Sequence, residues 1–127
     1  MKMILKSQIK AVRVLLEKAA AAEATISFPQ LFACFSEDTR PADVYDTLEA
    51  VCFEICDWNT AIYSVLLAKK GDGLPGDGFF DIFRNHRAHR YFEIASKTHV
   101  AGLTIEQRQT MTQIERMRVY QHAKDNS

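Results

Sequence analysis

Four of the five glycines in this chain fall within residues 71–78, in the run Lys69-Lys-Gly-Asp-Gly-Leu-Pro-Gly-Asp-Gly78 that precedes Phe79 and Phe80. So dense a cluster of residues with a free φ angle, with Pro75 inside it, continues neither a helix nor a strand. The fold must turn here. The segment before it, Ala61-Ile-Tyr-Ser-Val-Leu-Leu-Ala68, is rich in Ile, Val and Tyr and ends at the glycines, which predicts a strand over 61–68. It is the one clear strand signal. Leu74-Pro75-Gly76-Asp77 has the residue pattern of a type II turn, which requires positive φ at Gly76. On this reading Gly73, Pro75, Gly76 and Gly78 form a structural turn that sets Phe79 and Phe80 against residues 62–67.

The rest of the chain reads as helix. Leu5, Ile9, Val12, Leu16 and Ala19 lie three or four apart and make one face of a helix over 3–22. Thr25-Ile26 suggests a very short extended segment. Ser27-Phe-Pro-Gln30 is a capping box with proline in the first turn and opens a short helix to about Phe35. Asp38 or Thr39 then caps a third helix over 43–56, with Val44, Leu48, Val51 and Ile55 inward and Asp43, Asp46 and Glu49 on the other side. After the glycine loop, Asp77 caps a helix that begins near Phe79. Residues 84–90, Arg-Asn-His-Arg-Ala-His-Arg, have no apolar face and are placed in solvent as a helix end or loop. Tyr91–Ala95 regains apolar character, and Thr104-Ile-Glu-Gln107 starts a last helix to about Ala123 with Met111, Ile114 and Met117 inward. Residues 124–127 are expected to fray. A length of 127 residues with 47% hydrophobic residues suits a single domain with its own core.

Sixteen basic and sixteen acidic residues cancel, so the chain as a whole exerts no pull on nucleic acid or an anionic membrane. The halves differ: residues 1–60 hold six Lys/Arg and nine Asp/Glu, residues 61–127 ten and seven. An anion-binding surface is therefore expected on the C-terminal half. No apolar run has transmembrane length, and Lys6, Lys10 and Arg13 interrupt what a signal peptide would need, so a cytoplasmic protein without membrane contact is expected. Cys34, Cys52 and Cys56 are odd in number and lie in apolar surroundings, as reduced core thiols do.

The order helix, short strand, helix, helix, strand, glycine loop is that of a winged-helix domain. The passage from Thr25 to Phe83, sharpest at Gly73-Leu-Pro-Gly-Asp-Gly-Phe-Phe80, resembles small, uncharacterised bacterial and phage domains. Those domains carry a "TYGELA"-like helix and a "TGLPGxGFF" turn, and their first part is similar to the winged helix of alkyltransferase-like proteins. The tyrosine and glycine of that pattern are absent near Phe28-Pro29. The resemblance implies a winged-helix-like centre over about 25–83; with the C-terminal helices that the residue pattern places over about 91–123, the expected fold is a single mainly α domain with a small β element. The resemblance implies no activity.

The chemical motifs mostly dissolve in their context. Gly71-x-Gly73-x-x-Gly76 matches a dinucleotide fingerprint, yet no second parallel strand follows a crossover helix, Pro75 lacks an N–H, and Asp72 and Asp77 repel phosphate. The two aspartates also lack calcium-loop spacing. Cys52-x-x-x-Cys56 and His86-x-x-His89 lack finger geometry and read as core thiols and surface histidines. No nucleophile elbow is present. Neither a metal nor a cofactor is expected. Arg84, His86, Arg87, His89 and Arg90, next to Tyr91, form the densest basic cluster and suit phosphate contact and stacking, flanked by Asp81 and Glu93. The third helix occupies a recognition-helix position but is expected not to read DNA, because its acidic face would meet phosphate. The leading expectation is a non-catalytic binding or adaptor protein, from a mobile element, with a protein partner or a second copy of itself bound through the Met- and aromatic-rich last helices. A nucleic-acid-associated protein using residues 84–90 is the alternative, and an enzyme is third.

Overall fold

The computed structural model describes residues 4–127. It is mainly helical, with six α-helices and two very short strands among the described residues: α1 (Ile9–Ala21), β1 (Ile26–Ser27), α2 (Phe28–Phe32), α3 (Pro41–Ile55), β2 (Leu67–Ala68), α4 (Asp77–His86), α5 (Ala88–Ala95) and α6 (Ile105–Asp125). α1 packs on α3 and α6, and α5 packs on both α4 and α6. One continuous core runs from Val12 to Val119 and includes Leu31, Val51, Phe80 and Phe83.

Local rules explain most of the helices. Val12, Leu16 and Ala20 recur every four residues and give α1 its buried stripe. The expected start at residue 3 lies outside the described residues; Lys6–Gln8 form a 3-10 turn and α1 proper begins at Ile9. At α2, Ser27 Oγ accepts from Gln30 N at 3.2 Å and Gln30 Oε1 from Ser27 N at 2.8 Å. At α6, Thr104 and Gln107 do the same at 3.1 and 2.9 Å. Both capping boxes satisfy two amides that a helix start leaves open.

Other expectations need correction. α3 begins at Pro41, with Arg40 as its unassisted N-cap, because Asp38 and Thr39 are engaged by Ser36 Oγ at 2.8 and 3.0 Å. Asp43 is buried instead of facing solvent, and Arg40 holds both its carboxylate oxygens at 3.1 Å. α4 begins at Asp77, one residue after an N-cap at Gly76, so Asp77 lies in the first turn, where a carboxylate complements the helix dipole. Met117 is 60% exposed, whereas Met111, Thr112, Glu115 and Val119 form the buried face of α6. Lys124 and Asp125 remain helical.

The largest correction concerns residues 61–68. Only Leu67 and Ala68 are strand, and Tyr63–Leu66 close a 3-10 turn. Tyr63, Val65 and Leu66 are all buried, since the segment threads the core with protein on every side. A continuous apolar run reports such all-round burial and does not choose between extended and helical backbone. β2 pairs with β1 in parallel, Ile26 beside Leu67 and Ser27 beside Ala68. No antiparallel hairpin follows it among the described residues; the chain passes through the glycine loop directly into α4.

Candidate functional site

The glycine loop is built by its own backbone. Lys69 N donates to Leu74 O at 2.8 Å and Gly73 N to Lys69 O at 2.9 Å. Asp72 Oδ1 accepts from Leu74 N at 2.9 Å, and Asp72 Oδ2 lies 3.7 Å from Lys69 Nζ. Positive φ is needed at Gly71 (106°) and Gly73 (70°), not at Gly76, whose φ of −69° is open to any residue. The expected type II turn at 74–77 is therefore absent. Leu74 and Pro75 are buried and anchor the loop, and Phe79 and Phe80 enter the core edge to face, with centroids 5.1 Å apart. Arg116 fastens the loop from outside, donating from Nε to Val65 O at 2.9 Å and from Nη2 to Leu67 O at 3.1 Å and Gly73 O at 2.9 Å.

So held, the loop and the first turn of α4 form one wall of a groove of about 560 Å³. The opposite wall is Phe28 of α2 with Tyr45 and Leu48 of α3, and Ser64 and Leu67 also line it. The volume falls within the usual range for ligand sites, about 300–1,000 Å³. The lining is mainly apolar. Its polar points are Glu49, Lys69, Asp77 and the hydroxyl of Ser64, which is buried and has no hydrogen-bond partner among the described residues. Asp77 is drawn to Arg108 Nη1 at 2.9 Å, so its charge is partly met outside the groove. Phe28 meets Tyr45 edge to face at 6.4 Å, and Phe32 lies 5.8 Å from Tyr45. Phe32 and Tyr45 are exposed, so the apolar surface extends beyond the groove. Gly78 lines the groove with open space where a Cβ would stand. The sequence marks Gly76 and Gly78 as turn residues and Leu48 as core, but does not single out Tyr45 and Ser64 or join any of these to a groove. An aromatic triplet at Phe28, Phe32 and Tyr45 is the signal that was there to find.

Comparison with protein-family models, curated proteins and solved structures gives no match to this chain.

The basic cluster is not brought together as a surface. Arg87, expected in solvent, is buried between α4 and α5 and forms a fork with Glu115 of α6: Nε to Oε1 at 3.1 Å and Nη2 to Oε2 at 3.2 Å. Arg87 Nη1 donates to His86 O at 3.1 Å, and Glu115 Oε2 accepts from Ile62 N at 3.0 Å. The two side chains are 7% and 0% exposed. Arg84, His86, His89 and Arg90 remain outside, but Arg84 lies 5.7 Å over the Tyr91 ring, His86 Nδ1 is 3.1 Å from Asn59 Oδ1, and Arg90 stands 3.8 Å from Glu93. The basic excess of the C-terminal half is largely spent on the protein itself. Arg118 donates to Thr60 O at 2.8 Å and Asn59 O at 3.1 Å, and Arg108 donates to Val100 O at 2.7 Å while lying 5.0 Å over Phe80.

Cys34, Cys52 and Cys56 are free thiols. Cys52 is fully buried in α3, and burial pushes its thiol up. Burial raises Cys56 as well, against a smaller lowering contribution from the Ala61 backbone. Neither thiol has the electropositive, open setting of a nucleophile. No group of three or more His, Cys, Asp or Glu side chains fit to hold a metal ion occurs among the described residues. No helix among them is long and apolar enough to cross a membrane.

Proposed function

We propose that this chain is a non-catalytic binding protein that takes an apolar segment of a partner protein into the groove between α2–α3 and α4. The observation that carries the reading is the groove itself: an apolar cleft with exposed Phe32 and Tyr45 beside it and the unmet Ser64 hydroxyl in its lining. Aromatic side chains around a mostly apolar cleft are the composition of protein-binding hot spots. The winged-helix-like relationship of residues 25–83 belongs to the same proposal, supported by the order β1, α2, α3, β2 and loop. So does an origin in a mobile element, which rests on the resemblance of the Gly73–Phe80 turn alone. Self-association is a further part of it, supported by exposed Phe92 on α5 and Ile105 and Met117 on α6. The nucleic-acid alternative keeps Arg84, His86, His89 and Arg90 but loses Arg87, which the buried fork engages.

Affinity capture from the native host tests this when run with three variants beside the parent. Gly78→Phe fills the groove from a position where a Cβ meets nothing within 4 Å, and Tyr45→Asp charges its rim. A protein held by the parent and by Arg90→Ala, and lost from both groove variants at unchanged melting temperature, is the expected result. Capture that survives both groove variants, or that is removed by nuclease and by Arg90→Ala, overturns it.

A further inference from the structure

We propose a second binding site, independent of the groove: a pocket on α6 beside the glycine loop that takes the carboxylate of a small organic acid between Thr112 and Arg116. The two residues are one turn apart and so share a helix face. They line a cavity of about 320 Å³ closed on its other side by Asp72–Leu74 of the loop. Thr112 is 2% exposed, yet its Oγ1 has no hydrogen-bond partner among the described residues. An unmet buried hydroxyl is a cost that a folded chain seldom carries without a use for it. One turn on, Arg116 is a half-buried cation with no carboxylate paired to it among the described residues. Its Nε and Nη2 are spent on three neutral carbonyls, and among the described residues no hydrogen bond engages Nη1. Burial lowers its affinity for the proton, opposed only by the phenol of Tyr120. A guanidinium in that position gains most from an anion, and its free edge is suited to a carboxylate oxygen.

The neighbouring charges permit it. Asp72 also lines the pocket, but its two oxygens are engaged by Leu74 N and Lys69 Nζ. Gln113 offers an exposed amide at the rim. Leu74 and Tyr120 make the rest of the lining largely apolar, which favours an acid with a hydrocarbon or aromatic body over inorganic phosphate.

Arg116 fastens residues 65–73, so its removal would test the fold; Thr112→Val keeps the volume and removes only the hydroxyl. The experiment is a titration of the full chain with benzoate, with benzamide and inorganic phosphate as controls, followed by NMR at the Arg116 Nε–H and the amides of Thr112 and Gln113. Saturable shifts with benzoate, weaker or absent with both controls, and about ten-fold weaker binding to Thr112→Val are expected. The same variant should melt above the parent without ligand, since it removes an unmet polar group. The proposal is overturned if benzoate gives no saturable shift, if phosphate or benzamide binds as well, if Thr112→Val binds unchanged, or if that variant melts below the parent.

Discussion

Replacing Arg87 by alanine should be among the most destabilising single changes available in this chain, and its size follows from the geometry. The Arg87–Glu115 fork is closed on both arms, at 3.1 and 3.2 Å, and Glu115 has no exposed side-chain surface. Removing one member of a buried pair strands the other charge, which costs about 3–5 kcal/mol. A domain of this kind has about 5–15 kcal/mol in all, so about a fifth or more of the stability depends on one side chain. At about 4 °C per kcal/mol for a chain of this length, Tm should fall by about 12–20 °C. Urea unfolding followed by circular dichroism gives the free energy directly. The double variant Arg87→Met with Glu115→Leu should recover part of the loss, remaining below the parent by about 1–3 kcal/mol because the Ile62 N–H is left without its acceptor. An Arg87→Ala variant that loses less than about 1 kcal/mol, as an exposed ion pair would, refutes the reasoning and returns Arg87 to the surface cluster that the sequence suggests.

Gly73→Ala should cost about 1–2 kcal/mol, because φ there is 70°, whereas Gly76→Ala should be nearly neutral, its Cβ meeting Phe28 Cζ at 4.0 Å; equal melting temperatures for the two would contradict the loop geometry. Cys52 should react with a thiol reagent only at the rate of unfolding, and Cys34 and Cys56 faster in the folded chain; rapid reaction of all three would count against the burial described. Burial pushes the Tyr63 phenol up to about 12 and raises the three thiols, so the neutral forms are favoured in the folded state. Their contribution to stability is full below the ordinary values of 9.0 and 10.0 and is lost as pH rises through them toward about 12; a urea midpoint that stays constant across that alkaline window would be inconsistent with it.

What sequence reveals here depends on the range of the interaction. Ser27–Gln30 and Thr104–Gln107 were legible because a capping box is complete within four residues. Val12, Leu16, Val44, Leu48 and Val51 were legible because period alone places them. Arg87 was not, since its neighbours are polar and its partner lies 28 residues away on another helix. Met117 was misplaced for a related reason. The buried face of α6 centres on Glu115, a charged residue that a hydrophobic pattern discounts, and Met117 stands two residues on, more than half a turn round the helix. In Leu74-Pro75-Gly76-Asp77 the residue types fit a type II turn, but the loop is closed earlier, by Lys69 with Gly73 and Leu74, and that moves the positive φ angles to Gly71 and Gly73. The groove joins α2, α3, Ser64 and α4, and no local pattern brings those four together.

The groove's role as the binding surface is tested most directly by hydrogen–deuterium exchange on the parent chain with and without its captured partner. The account predicts slowed exchange in Phe28–Phe32, in the turn of α3 that carries Tyr45 and Leu48, and at Gly76–Ile82, with residues 84–90 unchanged. Protection confined to residues 84–90, with the groove exchanging as in the free protein, would contradict it.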